Sequence, residues 1–390
     1  MWWLVRKWWT ESDPSLLLHS ENRLLSSLVS HPFRKPDEII SDDKHGGLNL
    51  VEFRARHADA SLPTVVMAHG FGSGLSFFYR NIDDILNSGK VKRVILVDWL
   101  GMGGSTRLPS SQSPIRSIFS RLTSSSGIYP HLNFFLDPFD SLLRDGNLFL
   151  PGEPIWLVGH SLGGYLAAKY VMRIHEEQHT CNSKLKPNIT KLVLASPVGF
   201  QPLPSPHEIV SVPLPLRLFK ALWIANWTPQ AIIRIMGSSR GKRAVKNVLH
   251  RRIPHLNSNS ITDDGLSELD LLAEYLYHIT VAPASGEYAM NSLLEPSASK
   301  NGIGIFALDS LGCGSLADAI SMNLSSSLES IKVLFGDNDW MKFHEPMARE
   351  EMQEIRLKCS ISSSVQIIQN AGHHLYIDNP TNFVRQILED

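Results

Sequence analysis

The chain has 390 residues, of which 43% are hydrophobic and 19% charged, so it can bury a large core and is not a disordered protein. Its formal net charge of −1 excludes a global field that would recruit nucleic acid or an anionic membrane. Cys181, Cys313 and Cys359 show no C-x-x-C spacing, which argues against a disulfide framework or a zinc site and favours a reducing compartment. We find no apolar run of about 20 residues and no cleavable leader, so we expect neither a membrane span nor secretion.

The N-terminal segment is rich in tryptophan and then becomes amphipathic. Indole rings favour a membrane–water interface because a large apolar body carries a single polar N–H. Asp13 and Pro14 predict a helix start, and leucines over residues 17–28 follow at roughly helical spacing. We interpret residues 1–46 as an anchor on a membrane or lipid droplet; the alternative is that this segment packs on its own domain. The anchoring tryptophans are Trp2, Trp3, Trp8 and Trp9.

Two strand patterns, Leu48–Arg54 and Thr64–Ala68, lead into a glycine-rich loop that reads HGFGSG. Glycines let a backbone come close to a bound carbonyl group, whereas the alternative interpretation is a flexible loop. Arg93–Asp98 is the next strand pattern. We expect the following residues, about 106–150, to hold a surface insertion or disordered loop at Ser110–Ser126 and a helix at Asn133–Arg144.

The sequence GHSLG, at residues 159–163, lies between a buried strand pattern at Ile155–Val158 and a helical pattern that opens at Leu166–Tyr170. A G-x-S-x-G motif in a strand–turn–helix setting predicts a nucleophilic serine, here Ser161; the alternative is an ordinary serine in a glycine-bounded turn. Side chains at the glycine positions would collide with neighbouring elements. The Leu162 amide then becomes one oxyanion donor, and the loop after the third strand supplies the second through Phe71.

Beyond the strand pattern Lys191–Ser196, the alternation of strands and helices stops. Residues 201–325 open with a proline-rich stretch and continue with mostly helical patterns such as Leu266–Ile279. Strand patterns resume only at Ile331–Gly336. This excursion predicts a cap over the active site, and apolar cap helices suit an acyl chain better than a sugar or nucleotide.

Acidic residues and histidines follow the last two strand patterns. Asp337 and Asp339 come after Ile331–Gly336, and His373 and His374 come after Val365–Ile368. The order Ser…Asp…His is that of α/β hydrolases. We prefer Asp339 over Asp337 because G-x-x-D is the usual spacing, and His373 over His374 because it directly follows a glycine. The alternative for each group is a solvated surface residue.

The motifs HGFGSG, DWLGMGGS, GHSLGGYLAAKY, YHITVAPASGEYA, FGDNDWM and GHHLYIDNP together resemble one α/β-hydrolase subfamily. That subfamily comprises lipid-droplet lipase coactivators, lysophosphatidic acid acyltransferases, N-acyl-phosphatidylethanolamine lipases and cardiolipin deacylases. The tryptophan-rich start also looks like the droplet-binding segment of the coactivators. The resemblance implies an acyl-transfer role for the pair His373 and Asp378 in H-x-x-x-x-D; alternatively, Asp378 braces the following turn. Because pure coactivators lack the elbow serine, Ser161 makes this chain resemble the catalytically competent members.

We therefore expect an α/β-hydrolase fold, with a mostly parallel sheet, helices on both faces and a helical cap inserted after the sixth strand. We predict that the chain divides into the N-terminal lipid-surface segment at 1–46 and three further regions. These are a first core region at 47–200, with the variable insertion at about 106–150, a cap at 201–330 and a second core region at 331–390.

The expected activity is that of a serine acyl hydrolase of glycerophospholipids or lysophospholipids, a carboxylic ester hydrolase without metal or cofactor. One alternative is a lysophosphatidic acid acyltransferase that makes phosphatidic acid and uses acyl-CoA as co-substrate. Another is a lipid-surface coactivator with a triacylglycerol lipase as partner, and motif analogy leaves epoxide hydrolases and small-ester esterases open. We expect an intracellular protein on the surface of a lipid droplet, the endoplasmic reticulum or mitochondria, without nucleic acid partners.

Overall fold

The computed structural model of the chain describes residues 11–35, 47–56, 59–108, 129–177, 186–205, 207, 214–224, 227–256, 258–299, 302–322 and 327–389. The strands within these ranges are β1 (Phe33–Arg34), β2 (Leu50–Arg54), β3 (Thr64–Ala68), β4 (Arg93–Val97), β5 (Pro154–His160), β6 (Asn188–Ala195), β7 (Leu294–Ser299), β8 (Gly302–Ala307), β9 (Ser330–Gly336) and β10 (Ser362–Ile368). Eight of them form one sheet in the order β1-β2-β4-β3-β5-β6-β9-β10.

The helices of the described residues alternate with these strands in the core and interrupt them in the cap. They are α1 (Pro14–Leu28), α2 (Tyr79–Asn87), α3 (Tyr129–Leu143), α4 (Leu162–Glu176), α5 (Leu214–Ile224), α6 (Pro229–Ile235), α7 (Ser238–Arg252), α8 (Glu268–Val281), α9 (Gly286–Asn291), α10 (Ser315–Ser321), α11 (Glu345–Cys359), α12 (Leu375–Asp378) and α13 (Pro380–Leu388). Short 3₁₀ turns precede α2 and α11.

The inner strands β3, β4 and β9 are buried on both faces, which explains why they read as nearly continuous apolar runs. Successive side chains of β3 point to opposite faces, so Val65 and Met67 pack in one core layer and Val66 packs in the other. All pairings among β4, β3, β5, β6, β9 and β10 are parallel, whereas β2 pairs antiparallel with both β1 and β4. The predicted fold class is therefore confirmed, including its mostly parallel sheet and helices on both faces.

The cap lies between β6 and β9, after the sixth strand as predicted. It contains helices α5 to α9, but also an antiparallel hairpin of β7 and β8 that the mostly helical prediction did not include. The sequence of β7, LEPSAS, lacks β-branched and aromatic residues and so gives little strand signal, and pairing with β8 stabilises it. Helix α10 packs against α4 and α11, so this part of the predicted cap range belongs to the core layer.

Helix α1 begins as predicted, with the Asp13 carboxylate accepting a hydrogen bond from the Ser15 amide at 2.8 Å. Leu17, Leu24 and Leu25 are buried, and the helix packs against α8 and α2. This helix therefore packs on its own domain. Trp2, Trp3, Trp8 and Trp9 lie outside the described residues, so their anchoring role stays a prediction. So does the expected loop at Ser110–Ser126. None of the described helices is long and apolar enough to cross a membrane.

Candidate active site

Ser161 forms a sharp turn by itself, because β5 ends immediately before it and α4 begins immediately after it. Its backbone angles of φ 53° and ψ −116° lie in a region that side chains rarely adopt, at a cost of about 1–3 kcal/mol. The flanking glycines are required by crowding. A Cβ on Gly163 would lie 2.3 Å from the carbonyl oxygen of His69, and a Cβ on Gly159 would lie 2.4 Å from that of Gly163. The geometry matches the predicted strand–turn–helix elbow.

Three predicted residues from distant parts of the chain form one hydrogen-bonded series. The Nε2 atom of His373 lies 3.1 Å from Ser161 Oγ, and its Nδ1 atom lies 3.0 Å from Asp339 Oδ1. Asp337, the alternative acid, instead accepts a hydrogen bond from the Ala371 amide at 2.9 Å. The structure thus selects Asp339 as the carboxylate that contacts the imidazole.

The environment of Asp339 keeps its carboxylate ionised. Burial by itself raises the pKa of this group, but the hydrogen bond and charge of His373 and the Met341 amide, 2.9 Å away, hold the pKa below its ordinary value. A buried carboxylate within hydrogen-bond distance of His373 Nδ1 favours the tautomer in which Nδ1–H donates to Asp339. The lone pair of Nε2 is then free to accept the hydroxyl proton of Ser161.

The two predicted oxyanion residues, Phe71 and Leu162, line the same cavity as Ser161. Leu162 is the first residue of α4, so its N–H has no acceptor within the helix. The loop that carries Phe71 can approach the nucleophile because Gly70 has no side chain. A Cβ on Gly70 would lie 2.8 Å from Cβ of Ser161. Donation by the two amides to a bound oxyanion stays a prediction.

A second histidine–aspartate pair, not predicted from the sequence, lies at the base of this loop. His69 Nε2 lies 3.1 Å from Asp98 Oδ1, and both side chains are fully buried. The Asp98 carboxylate also accepts hydrogen bonds from the Leu75 amide at 2.7 Å and from the side chain of Asn49 at 2.8 Å. The available signal was the position of His69 directly after one strand pattern and of Asp98 at the end of the next, because these two strands turn out to be neighbours in the sheet.

The N-terminal helix reaches the same polar network. The Glu21 carboxylate is fully buried and accepts a hydrogen bond from Asn49 Nδ2 at 3.1 Å. It also forms an ion pair with Lys35. Burial raises the pKa of Glu21, although the charge of Lys35 opposes that effect. Helix α1 therefore stabilises the region behind the glycine-rich loop.

Two further histidines flank His373. His160 Nε2 lies 2.9 Å from the carbonyl oxygen of His373, and His374 Nδ1 lies 2.9 Å from the hydroxyl of Tyr376. Burial, followed by the charge of His373, lowers the pKa of His160 well below its ordinary value. The same two causes lower the pKa of His374 to about 3. Both imidazoles therefore stay neutral at physiological pH, and of the three only His373 contacts Ser161.

Asp378, the acid of the predicted H-x-x-x-x-D arrangement, holds the turn that carries the histidines. Its Oδ2 atom accepts a hydrogen bond from the Gly372 amide at 2.8 Å, and its Oδ1 atom lies 3.7 Å from His255 Nε2. Asp378 is not one of the described residues that line the cavity. This contact shows that Asp378 braces the turn before His373, whereas the alternative named the following turn, and its role in acyl transfer stays a prediction.

A cavity of about 630 Å³ extends from Ser161 into the cap. This volume falls in the range of about 300–1,000 Å³ that is usual for small-molecule sites. Its wall is mainly apolar, with side chains that include Phe219, Trp223, Ile233, Leu249, Leu276 and Ile305. Among the described residues, no group of three or more His, Cys, Asp or Glu side chains is placed to hold a metal ion.

A model of the alpha/beta hydrolase family matches residues 65–386 of the chain. The chain is 27% identical to a 1-acylglycerol-3-phosphate O-acyltransferase of Arabidopsis thaliana, over 97% of this chain and 81% of that protein. It is 23% identical to the 1-acylglycerol-3-phosphate O-acyltransferase ABHD5 of Rattus norvegicus, over 97% of this chain and 90% of that protein. The solved structure of naproxen esterase (carboxylesterase NP) from Bacillus subtilis matches with a TM-score of 0.51 and 14% identity, over 97% of this chain and 98% of that chain, which shows a shared fold.

Proposed function

The chain belongs to the α/β-hydrolase family, and from that premise we propose that it is a serine acyl hydrolase of glycerophospholipids or lysophospholipids. The observation that carries the proposal is the hydrogen-bonded series from Asp339 through His373 to Ser161. Ser161, the last residue of this series, lines a cavity that is mainly apolar and extends into the cap. Such a cavity suits a lipid acyl chain, with the ester carbonyl held at the serine.

The reaction divides into two acyl transfers. Ser161 Oγ attacks the ester carbonyl carbon while its proton moves to Nε2 of His373, and the amides of Phe71 and Leu162 stabilise the negative oxygen. The tetrahedral intermediate collapses, the C–O bond to the leaving alcohol breaks, and His373 returns the proton to that alcohol. Water then attacks the acyl-enzyme with the same histidine as base, which releases the fatty acid and restores the serine.

A fluorophosphonate probe tests the assignment directly, because it reacts with an activated serine. The purified wild-type protein should be labelled, and the Ser161→Ala variant should not. Incubation with a mixed lipid extract should release fatty acid or lysophospholipid, and Ser161→Ala should lower turnover by about 10⁴-fold or more. Thermal unfolding of both proteins provides the control for folding. Absence of labelling in a folded wild-type protein, or full turnover in the variant, would overturn the proposal.

A second candidate function is acyl transfer to lysophosphatidic acid, and the names of the Arabidopsis and rat relatives favour it. The acyl-enzyme would be the same, but the acceptor in the second step would be a lysophospholipid hydroxyl in place of water. Acyl-CoA would serve as the acyl donor. Labelled lysophosphatidic acid supplied with acyl-CoA should then yield labelled phosphatidic acid. Release of fatty acid without any phosphatidic acid would restrict the protein to hydrolysis.

A further inference from the structure

The wall of the Ser161 cavity carries one charged side chain besides its histidines, counted over the described residues. That side chain is Arg252, the last residue of α7. Val245, Val248 and Leu249 of the same helix also line the cavity. These positions recur every three or four residues, so they form one face of the helix. The face that α7 turns towards the cavity is therefore apolar along its length and cationic at its C-terminal end.

The guanidinium of Arg252 makes no hydrogen bond or ion pair with another described residue, and its side chain is exposed. Another arginine of the cap shows the contrast. Arg234 is buried and pairs with Glu287 at 2.7 Å, so its charge is used by the fold. Arg251, the neighbour of Arg252, is exposed but is not among the lining residues. A favourable charge at the helix C-terminus therefore does not by itself explain why Arg252 faces the cavity.

Arg252 lines the same cavity as Ser161, His373 and His374. His374, which is adjacent to His373 and lines the same wall, has its pKa lowered by burial first and then by the positive charges of His373 and Arg252. An anion held by Arg252 would therefore lie in the same cavity as an ester carbonyl at Ser161.

We propose that Arg252 binds the phosphate of a lysophospholipid whose acyl chain fills the apolar cavity and whose ester carbonyl lies at Ser161. A guanidinium offers a planar set of N–H donors that fits two phosphate oxygens at once. A neutral monoacylglycerol offers no partner for this charge, so Arg252 makes the site selective for anionic lipids. This assignment rests on the proposed function, because it names the substrate class of the same serine site. The phosphates of acyl-CoA share this chemistry and are the competing source.

Equilibrium binding to the Ser161→Ala protein tests the assignment without turnover. The probes are lysophosphatidic acid, a monoacylglycerol with the same acyl chain and an acyl-CoA with that chain, each below its micelle concentration. When Arg252→Gln is combined with Ser161→Ala, binding of lysophosphatidic acid should weaken by about 10- to 100-fold, because a charge-assisted hydrogen bond contributes about 1.5–3 kcal/mol. Monoacylglycerol binding should stay within about twofold. Arg252→Lys should restore part of the loss, because it returns the charge without the fork.

Arg251→Gln is the matched control, because it removes the same charge from the same helix turn but not from the cavity wall. It should leave lysophosphatidic acid binding within about twofold. Equal loss in Arg251→Gln and Arg252→Gln would reduce the effect to general electrostatics and overturn the site. Equal weakening of both lipids by Arg252→Gln would make Arg252 a packing residue and overturn it as well. If Arg252→Gln weakens only the binding of acyl-CoA, Arg252 binds a phosphate of the acyl donor, and the lysophospholipid assignment is refuted.

Failure of this assignment and failure of the proposed function are distinguishable. If the wild-type protein hydrolyses lysophosphatidic acid and monoacylglycerol equally well, and Arg252→Gln changes neither, the hydrolase proposal stands and the headgroup site falls. If lysophosphatidic acid binds through Arg252 but the wild-type protein turns over neither lipid, the headgroup site stands and the hydrolase proposal falls.

Discussion

Two histidine–aspartate pairs in this molecule have nearly the same distance between an imidazole nitrogen and a carboxylate oxygen, but the nitrogen is Nε2 in His69 and Nδ1 in His373, and their surroundings differ. His69 and Asp98 follow the neighbouring strands β3 and β4, and their side chains are 3.1 Å apart. Asp339 and His373 follow the neighbouring strands β9 and β10, and their side chains are 3.0 Å apart. In both pairs, adjacent parallel strands bring together residues that lie far apart in the sequence.

The two pairs differ in what else each imidazole contacts besides its aspartate. The ring of His69 is fully buried, and its nitrogens contact the Gly70 carbonyl, the Asp98 carboxylate and, at 3.4 Å, the Trp99 amide. All these groups belong to the fold, so the ring can only brace the loop. The ring of His373 lies against the cavity and contacts the Ser161 hydroxyl. A histidine–aspartate pair therefore becomes a candidate base only where a hydroxyl and an open cavity are also present.

Asp339→Asn should have the largest effect on activity. An amide cannot accept the Nδ1–H bond in the same way, so His373 loses the tautomer that receives the serine proton, and kcat should fall by about 10⁴-fold. The rate of fluorophosphonate labelling measures this loss in protein whose folding is checked by circular dichroism. Asp337→Asn is the matched control, because that carboxylate does not contact His373. Retention of activity within tenfold in Asp339→Asn would contradict the triad.

Asp98→Asn should act mainly on stability. It breaks a fully buried pair and leaves His69 without its partner, so the free energy of unfolding should fall by about 3 kcal/mol. Chemical denaturation measures this change, and activity per folded molecule should fall far less than in Asp339→Asn. A variant of normal stability that has lost all activity would make His69 and Asp98 part of the chemistry and would remove the contrast between the pairs.

The same carboxyl group should give stability a specific dependence on pH. Burial raises the pKa of Asp98, but the hydrogen bond and charge of His69 together lower this pKa by more than burial raises it. The pKa of Asp98 in the folded protein therefore lies below the ordinary 3.8. A lowered carboxyl pKa stabilises the fold above the unfolded value, and the contribution is lost as pH falls through the folded value. Below pH 3.8, therefore, the unfolding free energy should decline less steeply in Asp98→Asn than in the wild-type protein. Parallel declines would exclude this contribution.

Asp378→Asn should have the smallest effect. The amide oxygen can still accept a hydrogen bond from Gly372, so the turn before His373 should persist with a loss of about 1 kcal/mol in stability. Hydrolysis should fall only a few-fold. Parallel assays of hydrolysis and of acyl transfer to lysophosphatidic acid measure whether the two reactions respond together. Selective loss of transfer would assign the acid of H-x-x-x-x-D a part in that reaction.

Much of the site could be predicted because its signals are local. The strand before Ser161 is an apolar run, and the glycines around that serine are required within the same turn. Asp339 follows the apolar strand β9 within a few residues, and His373 follows β10, whose second half is mostly apolar, so their positions relative to the sheet could be predicted from the sequence. The cap hairpin was missed because β7 carries little strand propensity and its partner is another short strand of the cap.

The sequence by itself determined the alternation of buried strands and helices, the elbow around Ser161 and the order of the three candidate catalytic residues. Each of these depends on neighbouring residues and on the period of an apolar pattern. Only the tertiary structure decided that Asp339 and not Asp337 reaches His373, that Asp98 braces His69, and that Arg252 faces the cavity. These outcomes depend on which strands and helices lie side by side, and contacts between residues distant in the chain have no local pattern that reports them.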